Sequence, residues 1–186
     1  MERPLLFSLG LLALVGIAAC SGASGADDRV ELVFSGGHDT DARDNGRPVA
    51  LVAAGLGVSP QVFRDAFSRV QPVRDGEPSP EHARQNKEVL LSALARYGVR
   101  NEDLDRVSDY YRYRRERGEM WTNTPAKGYA TISKGMVKSI VLTSGGSGYS
   151  STPTVTIPGH AGSIAVTIGM NKDLSRNGAV TSITLR

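Results

Sequence analysis

Val137-Lys138-Ser139-Ile140-Val141-Leu142-Thr143-Ser144-Gly145-Gly146-Ser147-Gly148-Tyr149 is the stretch that decides the fold. A run rich in β-branched residues gives way to glycine and serine, the order of a strand ending in a tight loop. Residues 129–132, 154–157, 164–168 and 180–185 share that composition, and Gly, Pro, Ser or Asn bound each of them. Five short strands with turn signals predict a small antiparallel sheet, sandwich or barrel over residues 126–186.

Upstream of Pro125 the period changes from two to that of a helix. A brief alternation at residues 30–34 predicts one short strand. Residues 48–56 are apolar and alanine-rich and end at Gly57, a C-terminal cap. Ser59-Pro60 supplies a capping hydroxyl and a proline for the first turn, and Val62, Phe63, Ala66, Phe67 and Val70 follow at helical spacing. Ser79-Pro80 opens a second pair of helices, with Val89, Leu90, Ala93, Leu94 and Tyr97 as one buried face and Gly98 as its stop. Asn101 is placed to cap the last helix, whose apolar stripe is Leu104, Val107, Tyr110 and Tyr111. Gly57-Val58 and Gly98-Val99, Phe63 and Leu104, and Ala66 and Val107 are each separated by 41 positions. The two hairpins therefore read as copies of one helix–turn–helix unit. The expected fold class is α+β: an α-helical domain of two helical hairpins at 29–125, then an antiparallel β-rich module at 126–186.

Charge divides the chain at the same place. Residues 21–125 hold fifteen Lys or Arg against seventeen Asp or Glu; residues 126–186 hold six against one. The first part uses mostly arginine and the second mostly lysine, as expected of two modules.

The N-terminus has its own plan. Arg3 precedes an apolar run from Leu5 to Ala19, and small residues lead to Cys20, the only cysteine. At about 15 residues the run is shorter than the ~20 that span a bilayer. The order of charge, apolar run and small residues is that of a secretory signal. Ile17-Ala18-Ala19-Cys20 resembles the lipobox of bacterial lipoproteins. The resemblance implies a signal peptide at 1–20, lipid on Cys20 as the first mature residue, and an exported protein held to the cell membrane or outer membrane. Small polar residues at 21–28 read as a flexible tether. A basic module in that compartment is expected to meet an anionic glycan, phospholipid head groups or an envelope protein, and no nucleic acid.

Residues 135–157, with Gly145-Gly146-Ser147-Gly148-Tyr149 at their centre, resemble the β-repeat of phage tail fibres and bacterial surface proteins. Residues 178–185 repeat its opening strand. The resemblance implies a structural or adhesive role.

Two clusters are candidates for chemistry. His38, Asp39, Asp41 and Asp44 lie in one polar loop, and carboxylates so closely spaced suit a hard cation such as calcium. The third acid falls one place late for an EF-hand, and a turn held by Asp and Arg is the competing reading. Tyr110, Tyr113, Arg114 and Trp121 combine aromatic faces with a guanidinium and suit a sugar ring, carboxylate or phosphate. Packing of the same tyrosines is the competing reading. No resident cofactor is expected otherwise: phosphate-loop, nucleophile-elbow and zinc spacings are missing from the sequence. The expected function is a non-enzymatic envelope or surface interaction module, with a metal-dependent hydrolase on the 38–44 loop as the alternative.

Overall fold

The computed structural model describes residues 27–73, 78–113 and 117–186, so Cys20, the 1–20 segment read as a signal peptide and most of the 21–28 segment read as a tether lie outside the described residues. The fold is α+β. The helical part comprises α1 (Val49–Leu56), α2 (Pro60–Phe67), α3 (Pro80–Leu94) and α4 (Asn101–Tyr110). The serine caps act as their sequence demands: Ser59 Oγ accepts from Val62 N and Ser79 Oγ from His82 N, each at 3.2 Å. Gly57 and Gly98 end their helical segments at φ 73° and 79°. Asn101 is the first residue of α4 rather than its cap. Its start is held instead by Asp103, which accepts from Arg100 N at 3.4 Å. Leu51, Leu56, Phe63, Ala66, Leu94, Leu104 and Val107 form the helical core. Phe63 with Leu104, and Ala66 with Val107, are buried at equivalent places in the two hairpins. Tyr97, expected inside, is exposed because the chain has already left α3 in a 3₁₀ turn.

The β part departs from the sequence expectation at its beginning. Residues 30–34 contribute to two strands, β1 (Asp28–Glu31) and β2 (Val33–Ser35), separated by buried Leu32. Strand β1 pairs antiparallel with β3 (Lys127–Ser133), and β2 with β5 (Thr154–Thr156). Residues 28–35 thus belong with the β part, although they precede the helices in sequence. Strand β4 (Met136–Ser144) pairs with β3, and β6 (Ile164–Gly169) with β7 (Ala179–Leu185). Contacts of β5 with β6 and of β4 with β7 join the sheets into a barrel-like ring. Leu32, Ala130, Ile132, Val155 and Ile157 fill its centre.

Strand directions give the ring two different ends. One carries residue 27, the β3–β4 turn, the β5–β6 connection and Leu185. The other carries the glycine loop after β4, the start of β3 and the β6–β7 connection, and it meets the helices. There Leu174 enters the helical core, and fully buried Asn177 donates to Leu51 O at 2.8 Å and accepts from Asn171 N at 3.0 Å. Its amide also donates to Tyr111 Oη at 2.9 Å.

Candidate functional site

Asp41 opens a 3₁₀ turn (Ala42–Asp44), its Oδ1 accepting from Arg43 N at 3.0 Å. The Arg43 guanidinium closes on both carboxylate oxygens, at 3.0 and 2.7 Å. Those hydrogen bonds hold the Asp41 carboxyl well below the usual range. Asp44 is only 5% exposed, and Arg64 from α2 grips it at 2.7 and 2.8 Å. Arg64 also lies 3.6 Å from Asp41, and its own pKa is raised chiefly by the Asp44 bond. Asp39 borders the same small pocket of about 160 Å³ as Asp41 and Asp44, and its Oδ2 accepts from Ser151 Oγ at 3.2 Å. His38 stacks on Tyr149, ring centroids 5.3 Å apart, and its Nε2 is buried without a hydrogen-bond partner.

Three of the four residues considered for a cation border one pocket, but Asp41 and Asp44 meet on a shared arginine, Asp39 bonds a serine, and His38 stacks on an aromatic ring outside that lining. Among the described residues no group of three or more His, Cys, Asp or Glu side chains is arranged to hold a metal. Arginine pairs with Asp41 and Asp44, as in the competing reading of a turn held by Asp and Arg.

The Tyr/Arg stretch is drawn inward. Trp121 is 3% exposed and donates from Nε1 to Gly148 O at 2.8 Å. Tyr113 packs edge-on against Trp121 at 5.6 Å, and its hydroxyl donates to Gly46 O. Half-buried Tyr110 sits edge-on to Tyr111 at 5.1 Å. Arg114 lies outside the described residues. Trp121 and Tyr113 thus fasten the acidic loop to the glycine loop rather than offering a stacking platform. The Gly-Gly-Ser-Gly-Tyr run is built into the same junction. Ser147 exchanges backbone hydrogen bonds with Thr124, and Tyr149 Oη accepts from Ala126 N at 3.0 Å. At Gly148, φ is 83° and an added Cβ would lie 2.6 Å from Asn123 Cβ.

A groove of about 420 Å³ lies beside the ion network. Val49, Phe63, Phe67, Val70 and Pro72 line it with apolar surface, and Arg43, Arg47 and Arg64 stand at its edge. Arg47 lies over the Phe67 ring at 4.8 Å and donates to Asp44 O at 3.4 Å. The sequence marked the apolar stripe of α2 but not its arginines as a group. Arg43, Arg47 and Arg64 come together only because Asp44 bonds across twenty residues to α2. No family model, curated protein or solved structure matches this chain.

Proposed function

We propose that this protein is an exported bacterial lipoprotein, anchored through acylated Cys20, whose body is a non-enzymatic interaction module of the cell envelope. The observation that carries the reading is the lipobox-like segment ending at Cys20, seven positions before the first described residue. Acyl chains contribute about 0.8 kcal/mol per buried methylene, so more than one chain gives a stable anchor. Supporting it, the ionisable and aromatic groups singled out in the sequence are largely spent on holding the body together. The groove beside α2 then offers the binding face. Its apolar lining and arginine edge suit an envelope-protein segment that presents a carboxylate beside an apolar side chain.

Cys20→Ala tests the anchor. The expected result in the native host is transfer of the protein from the membrane to the soluble fraction. Retention of the variant in the membrane fraction overturns the lipoprotein reading. Arg47→Glu tests the groove: in cross-linking of the full-length protein in cells, the adduct seen with wild type is expected to disappear. An unchanged adduct removes the groove from the proposal.

A further inference from the structure

Residue 27, where the described chain begins, lies at the end of the barrel opposite the helices. Strand β1 runs antiparallel to β3, with Asp28 beside Ile132. Followed backwards, the chain therefore leaves the body alongside the β3–β4 turn. Lys138 Nζ lies 3.9 Å from Asp27 Oδ2, which fixes the same proximity from β4. Six residues separate Cys20 from Asp27. Seven Cα–Cα steps reach at most about 25 Å, so a lipid on Cys20 keeps this end within that distance of the bilayer.

The turn itself is unusual. Ser133 pairs with Met136, which leaves a two-residue loop of Lys134 and Gly135 at φ 52° and 76°. Both values are positive, as in a type I′ turn, where asparagine is the favoured first residue. A lysine here adopts a left-handed conformation that costs it of order 1 kcal/mol. Met136, just beyond the turn, is 69% exposed, the most exposed of the large apolar residues described. The tip thus carries an apolar side chain between Lys134 and Lys138. Asp27 and Asp28 stand nearby, and the pair of Lys138 with the first is long and exposed, so a head-group phosphate can compete for the lysine.

We propose that the β3–β4 turn is a second membrane contact, in which Met136 enters the interface of an anionic phospholipid bilayer and Lys134 and Lys138 meet its head groups. This inference rests on the Cys20 anchor, which supplies the short reach. Basic residues near an anionic surface contribute about 1 kcal/mol each, too little to bind alone but enough to orient a protein already tethered. Docked this way, the body holds its helices and the α2 groove away from the membrane.

The test uses the full-length lipidated protein in vesicles of phosphatidylcholine alone or with one third phosphatidylglycerol. An environment-sensitive fluorophore is placed at Met136→Cys, and at Met170→Cys as the control near the helical end. Bromolipid quenching at position 136 but not 170, at least twofold stronger in the anionic vesicles and lost in Lys134→Glu/Lys138→Glu, is the expected result. Lys134→Asn relieves the turn, so it should raise the melting temperature while lowering quenching. Equal quenching in both vesicles, or none at position 136, overturns the docking and leaves the anchor standing. Membrane retention of Cys20→Ala overturns the anchor, whatever the turn does. Quenching that instead needs lipopolysaccharide assigns the turn to an anionic glycan and refutes the phospholipid proposal.

Discussion

Replacing Asn177 with alanine should uncouple the two parts of the fold. Its side chain is fully buried and makes hydrogen bonds to Leu51 O, Tyr111 Oη and Asn171 N. Asn171 is exposed, and water can replace that bond. The other two partners are buried, and each lost bond costs about 1 kcal/mol. The cavity left by a truncated, fully enclosed side chain adds about 1 kcal/mol. The total is about 3 kcal/mol, or roughly 6–12 °C in melting temperature for a chain of this size. Ser175→Ala, at an exposed position of the same connection, should stay within about 0.5 kcal/mol. Urea unfolding followed by two probes gives the assay. Far-ultraviolet circular dichroism reports the helices, and the fluorescence of Trp121, the sole tryptophan, reports the junction. Wild type should show one coincident transition. A loss below about 1 kcal/mol in Asn177→Ala, or wild-type probes that separate, would refute the shared core.

Asp44→Ala leaves Arg64 without its main partner in a half-buried place and should cost about 2–3 kcal/mol in urea unfolding. Adding Arg64→Met should recover part of that loss, because the unpaired cation is then gone. Calcium or magnesium at millimolar concentration should leave the melting temperature unchanged, since the 41 and 44 carboxylates are already engaged by arginine. A rise of several degrees that disappears in Asp41→Ala would reinstate the cation loop. Burial pushes the Tyr111 hydroxyl up to about 12, against a bonding contribution from Asn177 that acts the other way. A raised phenol pKa stabilises the fold below pH 10, and that part, about 3 kcal/mol, is lost between pH 10 and 12. Tyr111→Phe should flatten the alkaline fall in stability measured by urea titration.

Local signals made the helices and strands legible. Ser-Pro pairs and glycine caps act within one turn, so Ser59, Ser79, Gly57 and Gly98 disclosed their helices from sequence alone. Val, Ile and Thr between turn residues disclosed β3 to β7 for the same reason. The pairing of residues 28–35 did not show, because it joins them to strands a hundred residues away. The pairing of Asp44 with Arg64 did not show either, since nothing within a few residues of either names the other. The aromatic stretch left two readings open for a related reason. Tyrosine and tryptophan have the same composition whether they stack on a ligand or close a junction, and only Gly46 and Gly148, far away in sequence, decide between the two.

The division of labour along the chain follows from those long-range pairings. Because β1 is built into the barrel, the described chain begins at the sheet and not at the helices. Because β2 continues β1 and the β6–β7 connection enters the helical core, a load on the tether passes into both parts. The glycine loop, Trp121 and Asn177 sit at that transfer point, which explains why so few of the conspicuous residues remain free for a ligand. Two of the exposed features lie at the extremes: an arginine-edged groove on α2, and a lysine-flanked methionine beside residue 27. If Cys20 is acylated as proposed, that polarity puts the attachment at one end of the barrel and the groove beyond the other.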